Sequence, residues 1–177
     1  DDVIGTLATE AGKQGITTYM MTPDKDYGQL VGENVFMYRP KYGDKEFEVM
    51  GIEQVKEKFK ITSPTQVIDM LGLMGDSSDN IPGCPGVGEK TAQKLIEQYG
   101  SIEELLEHTN ELKGALKTKI ETNKEQILFS KFLATIKTDV PIQLNMEELK
   151  REQAEEATLR KIIEEMEFRT LIERIFP

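Results

Sequence analysis

The sequence predicts an α/β fold followed by a mostly helical region. Three observations carry that prediction. A helix-patterned opening runs into a β-branched, aromatic stretch, Ile16–Met21, bounded by Gly15 and Pro23, as a buried strand should be. Two alternating stretches follow, Asn34–Arg39 and Lys45–Met50. From Ser63 onward the apolar residues recur at i, i+3, i+4 and i+7, so helices take over from strands.

Taken in order, Asp1–Ala8 starts a helix with Val3, Ile4, Leu7 and Ala8 on its apolar face, ending near Gly12–Gly15. Two aspartates in its first turn suit the helix dipole. After the Ile16–Met21 strand comes Thr22-Pro23-Asp24-Lys25-Asp26. In an extended segment Asp24 and Asp26 share one side, and the loop past the carboxyl end of a strand is where α/β sheets bind ligands. Pro-Asp is also an ordinary turn pair. A short helix is expected through Tyr27–Val31. The pair Asn34–Arg39 and Lys45–Met50 reads as a hairpin or as neighbouring strands. Gly51–Phe59 reads as a short helix with Ile52, Val55 and Phe59 inward. Ser63, Pro64 and Gln66 stand at the N-cap, N1 and N3 positions of the next helix, whose stripe is Val67, Leu71 and Met74.

That helix delivers the chain to the central segment, GDSSDNIPGCPGVGEKTAQKLI over Gly75–Ile96. Asp76 and Asp79 stand one helical turn apart. Pro82, Gly83, Pro85, Gly86 and Gly88 break the chain, and Ala92, Leu95, Ile96 and Tyr99 restart a helix. A glycine turn ahead of a helix N-terminus presents amides where the dipole is positive, which is a phosphate site. On this reading the amides of Gly86, Val87 and Gly88 face a ligand, with Lys90 and Lys94 on one exposed face beside them. The alternative is a tight interhelical turn whose glycines serve positive φ and whose aspartates cap helices.

Beyond it, Gly100 ends a helix, and Ser101 with Glu104 caps Ile102–Glu107. His108, the single histidine, is assigned no catalytic role. Glu111–Ile136 is expected to be helical for most of its length, with Leu116, Ile120, Ile127, Leu128 and Phe132 in the core. Its lysines, Lys113, Lys117, Lys119, Lys124 and Lys131, form a mostly solvated face from which one or two reach a phosphate backbone. Pro141 keeps Thr138–Ile142 extended. Leu159, Ile162, Ile163 and Met166, then Phe168, Leu171, Ile172 and Ile175, make one or two amphipathic helices.

The 177 residues carry a net charge of −10, which argues against nucleic acid at first sight. A carboxylate site for cations must concentrate negative charge, however, and bound ions reverse it locally. One cysteine, Cys84, excludes an internal disulfide and a zinc cluster and is compatible with a reducing cytoplasm. No apolar run reaches membrane-spanning length, so no membrane partner is expected. Three acidic pairs, Asp1/Asp2, Asp24/Asp26 and Asp76/Asp79, lie at element boundaries without histidine or cysteine companions. Such all-oxygen sets favour Mg²⁺ or Mn²⁺.

GDSSDNIPG followed by PGVGEKTA, together with DKDYGQLV, resembles the 5′ nuclease (flap endonuclease, 5′-3′ exonuclease) family, in the form that bacterial polymerases carry. The resemblance implies a truncated resolvase-like fold with a partial, mostly parallel sheet and a helix-hairpin-helix (H3TH) DNA-binding module. It places Asp1, Asp2, Asp24, Asp26, Asp76 and Asp79 among metal ligands. It gives Gly86, Val87, Gly88, Lys90, Thr91 and Lys94 to DNA, gripped through the phosphate backbone, with K⁺ or Na⁺ at the turn. The implied reaction is metal-dependent cleavage of 5′ ends and flaps in primer removal and repair. Residues 1–62 would belong to the α/β catalytic core, 63–138 to the hairpin module and 139–177 to a helical junction leading to polymerase domains in cis. The family's Glu-Ala-Asp-Asp begins here at Asp1, and its earlier strands and arch are not in the sequence. The expectation is therefore a piece that grips duplex DNA with little cleavage of its own. The alternatives are a stand-alone 5′ nuclease and a non-catalytic hairpin module. An unrelated phosphohydrolase with Asp24 as nucleophile ranks below both.

Overall fold

Helix α1 (Asp2–Lys13) ends before Gly15, whose φ of +75° reverses the chain into strand β1 (Thr18–Met21). The computed structural model describes residues 1–40 and 47–176. The turn expected from Lys41 and the strand start expected at Lys45 lie outside them. A 3₁₀ helix, Lys25–Leu30, follows β1. Strand β2 (Val35–Pro40) then pairs parallel to β1, Thr18 opposite Val35, and antiparallel to β3 (Phe47–Met50), Met37 opposite Met50. The sheet is therefore mixed, not mostly parallel: β3 needs only a short return from β2, whereas β1 reaches β2 through the 3₁₀ crossover.

Helix α2 (Ile52–Phe59) starts at Gly51, whose amide donates to Gln54 Oε1 at 3.0 Å. A 3₁₀ turn, Pro64–Gln66, leads into α3 (Val67–Met74). Then come α4 (Glu89–Tyr99), α5 (Ile102–Glu107), α6 (Gly114–Thr122) and α7 (Lys124–Ala134). Met37 and Met50 of the sheet share one buried cluster with Val67, Leu71, Ile96, Ile102, Ile120 and Ile127 of the helices. Sheet and helices thus stand on a single core, which fixes the loops between them.

The chain divides into two compact units, Asp1–Leu144 and Asn145–Pro177. The second contains α8 (Glu156–Glu165), capped by the Glu155 carboxylate on the Ala157 and Thr158 amides, and α9 (Arg169–Ile175). No described helix is long and apolar enough to cross a membrane.

Two sequence expectations are corrected. Of the expected face Ala8 is buried and Leu7 half-buried, but Val3 and Ile4 are exposed, and α1 buries Gly5, Thr6 and Ala11 in their place. The contact is too close for branched side chains: a Cβ on Gly5 would lie 2.6 Å from Ile136 Cγ2, and one on Gly12 2.6 Å from Val35 Cγ2. Glu111–Ile136 is helical for most of its length, as expected, in two helices broken at Asn123 and preceded by a 3₁₀ turn at Thr109–Glu111; what differs is which residues α7 buries. In α7 the buried face is Ile127, Ser130 and Ala134, while Leu128 is exposed and Phe132 is 73% exposed. Polar Ser130 faces inward because the hairpin, described below, needs its hydroxyl. Consequently Ile127→Ala should cost about 2–5 kcal/mol by its cavity, and Phe132→Ser about 0.5 kcal/mol or less. Urea unfolding of both variants checks this.

Candidate metal centre and nucleic-acid interface

Past β1, the Asp24 amide donates to Thr22 Oγ1 at 3.1 Å, and the Asp26 amide donates to Asp24 Oδ1 at 3.0 Å. Asp24 therefore caps the 3₁₀ helix, and Asp26 is turned inward, 7% exposed. Gln29, also buried, donates to the carbonyls of Asp26 and Ala134 and accepts from the Ile136 amide. This ties the loop to the end of α7.

Asp76 arrives from the other side. Helix α3 stops at Gly75, φ +72°. Asp76 and Ile81 then exchange backbone hydrogen bonds of 2.9 and 2.7 Å across a tight loop. Asp76 Oδ1 accepts from the Ser78 amide at 2.8 Å. One carboxylate oxygen each from Asp26, Asp76 and Asp79 lies within 4.8 Å of the others. Asp24 joins Asp76 and Asp79 in lining a cavity of about 380 Å³.

The electrostatics call for a cation. Among the described residues Asp26 Oδ1 is buried with no hydrogen-bond partner. Burial, reinforced by the charge of Asp24 and further by Asp76 and Asp79, pushes the Asp26 carboxyl up to about 6 against the pull of Lys25. Lys25 Nζ is bonded to Asp76 and lies 3.9 Å from Asp26 Oδ1. Burial alone would raise Asp76, but the bonds from Lys25 and the Ser78 amide hold it below the usual carboxylate range. An all-oxygen set with an unpartnered buried oxygen fits a hard divalent cation.

The first acidic pair does not join these oxygens. Asp1 Oδ1 accepts from Tyr27 Oη at 2.8 Å, and Asp2 Oδ1 accepts from the Lys137 amide at 3.0 Å. Asp2 therefore fastens the segment after α7 to α1, a task that Thr6 shares by accepting from the Val140 amide at 3.2 Å.

The glycine turn follows the Asp76 loop along the chain. The Val87 amide donates to the Cys84 carbonyl at 3.0 Å, with Pro85 second and Gly86, φ +73°, third. That is a type II turn. The expectation of three outward amides is corrected here, because Val87 uses its amide inside the turn and buries its side chain. Gly86 and Gly88 are exposed, as are Lys90 and Lys94, and Thr91 is half-buried. Cys84 is buried, its amide donating to the Leu73 carbonyl at 2.8 Å, and burial pushes its thiol up.

Four contributors escaped the sequence reading. Lys25 sits between Asp24 and Asp26, but nothing local shows that it reaches Asp76. Lys119, on α6, donates to the Gly86 carbonyl at 3.4 Å, so it is the lysine of its group that stands at the turn. Ser130 Oγ accepts from the Gly83 amide at 3.0 Å, and Gln126 Nε2 donates to the Gly83 carbonyl at 2.7 Å. These two residues of α7 hold both polar groups of one glycine. Their four-residue spacing was the only sequence signal.

Two family models match consecutive stretches of the chain, together covering unit 1 and the start of unit 2. Residues 1–60 match the family model described as 5′-3′ exonuclease, N-terminal resolvase-like domain, and residues 62–157 match 5′-3′ exonuclease, C-terminal SAM fold. The chain belongs to the 5′-3′ exonuclease family. Its curated relatives include the DNA polymerase I of Bacillus subtilis, 47% identical over 176 residues, 99% of this chain and 20% of that protein. The DNA polymerase I of Bacillus caldotenax is 38% identical over 176 residues, again 99% of this chain and 20% of the relative. The chain thus spans about a fifth of the length of these relatives. Among solved structures, bacteriophage T5 5′-exonuclease with bound divalent zinc shares the fold at TM-score 0.66 and 18% identity, covering 75% of this chain and 48% of that one. A T5 flap endonuclease in a pseudo-enzyme-product complex with DNA and metal ions aligns equally, at TM-score 0.66 and 18% identity over 75% of this chain and 48% of the other.

Ser130→Ala leaves the buried Gly83 amide unpaired and should cost about 1–3 kcal/mol. Gly83→Ala should cost more, since a Cβ there meets the backbone of Met74 and Gly75 at a φ of +60°. Thermal unfolding of the two variants tests the order.

Proposed function

We propose that this chain grips duplex DNA carrying a 5′ flap and supplies carboxylates for metal-dependent phosphodiester hydrolysis, as in primer removal and repair. The observation that carries this reading is the buried, unpartnered oxygen of Asp26 within 4.8 Å of carboxylate oxygens of Asp76 and Asp79, one loop away from an exposed glycine turn. Residues 1–62 would serve as catalytic core, 63–138 as the H3TH module and 139–177 as a junction to polymerase domains in cis, in a bacterial cytoplasm.

Asp26, Asp76 and Asp79 would hold the ion, Mg²⁺ or Mn²⁺, with Asp24 on the same cavity and Asp1 and Asp2 at its periphery. Bound there, the ion supplies Lewis-acid polarisation of a phosphoryl oxygen and a water of lowered pKa. The chain's own residues do the rest. Asp26 and Asp76 are held in place by backbone bonds made before any ligand arrives. Lys25 counters their mutual repulsion. Gly86 and Gly88 let a strand approach closely, and Lys90, Thr91, Lys94 and Lys119 meet its phosphates without reading bases. A K⁺ or Na⁺ at the turn would have to share or displace the Lys119 ammonium that donates to the Gly86 carbonyl at 3.4 Å.

Calorimetry and thermal unfolding test the metal reading. Mn²⁺ at about a hundred times its Kd should stabilise the chain by about 2.7 kcal/mol. Asp26→Asn should abolish that gain while leaving the chain at least as stable without added cation, because it removes a buried charge. Absence of any Mn²⁺ effect on the unmutated chain would overturn the metal site. Fluorescence anisotropy with flap DNA tests the grip: Lys90→Gln with Lys94→Gln should weaken binding about tenfold and lower the salt slope by about two. If the lysines matter while Asp26→Asn leaves Mn²⁺ binding unchanged, the chain is a binding module only.

A further inference from the structure

The cavity lined by Asp24, Asp76 and Asp79 is lined also by Lys25, Arg39 and Lys58. These cations come from three places: the 3₁₀ helix, the end of β2 and α2. Lys25 is already committed to Asp76 and Asp26. Arg39 and Lys58 are differently placed. Arg39 Nη1 meets the soft thioether of Met50 at 3.7 Å, and Lys58 Nζ lies 5.7 Å from the Phe59 ring centroid. Among the described residues neither has a carboxylate within ion-pair distance. Burial pulls the Lys58 ammonium down, the charges of Arg39 and Lys25 add to that, and Glu48 offsets part of it. Like charges lining one cavity repel, and the repulsion is relieved when an anion enters, just as the carboxylates are relieved by a cation.

We propose that Arg39 and Lys58 form a phosphate subsite in the cavity that these carboxylates line. The subsite takes the phosphodiester next along the strand from the one that meets Asp24, Asp76 and Asp79. This rests on the nucleic-acid reading of the cavity given above. A strand laid across the cavity then meets carboxylates that draw the metal and cations that draw the strand itself. Arg39 offers a planar fork and Lys58 a point charge on a flexible stem, a pairing suited to backbone phosphate without base readout. The subsite also explains how a chain of net charge −10 tolerates a polyanion beside its most acidic loops.

The test uses the full 177-residue chain and a fluorescent duplex with a single-stranded 5′ extension, titrated in Ca²⁺ across a salt series. Arg39→Gln combined with Lys58→Gln should weaken binding about five- to tenfold and lower the log–log salt slope by about one to two. Arg39→Lys with Lys58→Arg should retain most of the slope. Mn²⁺ calorimetry and the unfolding temperature of the Gln double variant should match the unmutated chain, which separates a phosphate contact from damage to the metal site. Inorganic phosphate at equal concentration should compete weakly, which distinguishes a strand site from a free-phosphate site; displacement of the DNA by equimolar phosphate would overturn the strand assignment. Unchanged affinity and slope in the Gln double variant would overturn the subsite. If Lys90→Gln with Lys94→Gln then still weakens binding, only the subsite falls. If the unmutated chain fails to bind the duplex at all, the broader nucleic-acid reading falls with it.

Discussion

Two glycines, Gly75 and Gly83, pass so closely that neither has room for a side chain. A Cβ on Gly75 would lie 2.5 Å from the Ile81 carbonyl oxygen, and one on Gly83 would collide with the Gly75 amide. The close approach exists because Asp76 and Ile81 pair across the intervening loop. It brings the backbone that carries Asp76 against the Gly83 that leads into the Cys84–Gly88 turn. The distance between the candidate metal centre and the candidate DNA grip is therefore set by backbone contact, with no flexible side chain between. From α7, Gln126 and Ser130 lock this crossing by satisfying both polar groups of Gly83. Buried backbone groups that lost those partners would be costly, so α7 is a structural part of the site although none of its residues touches the cavity.

Charge is arranged by the same logic at shorter range. Several carboxylates converge, Asp26 and Asp76 of them buried, and Asp26 is left with an oxygen that has no hydrogen-bond donor among the described residues. Lys25 answers part of this charge from the neighbouring position in sequence, bonding Asp76 across 51 residues. Asp2, an aspartate of the first helix turn, is spent on the Lys137 amide, which secures the segment that Gln29 holds from its other side. Acidic residues that look alike in sequence thus divide between holding charge for a ligand and holding backbone for the fold.

The caps at Ser63 and Ser101, the short helical segment around Tyr27 and the ends of α1 and α4 near glycines were legible because each depends on a few adjacent residues. The burial of helix faces was less so. Periodicity gave α1 an apolar face of Val3, Ile4, Leu7 and Ala8; Ala8 is buried, yet Gly5 and Thr6 take the place of Val3 and Ile4, because a segment some 130 residues away, at Ile136 and Lys137, comes too near for branched side chains. Periodicity also put Phe132 in the core, and the inward position went to Ser130, which the Gly83 amide requires.

By itself, then, the sequence determined the alternation of helix and strand, the three acidic pairs at element ends and the glycine turn ahead of α4. These follow from local dihedral preference, capping and hydrogen bonding within a few residues. Only the tertiary structure decided that Asp26 meets Asp76 and Asp79 while Asp2 does not, and that Lys25, Lys119, Gln126 and Ser130 stand where they do. The physical reason is that these contacts close loops of roughly 30 to 135 residues through one shared core, and no window along the chain contains both of their ends.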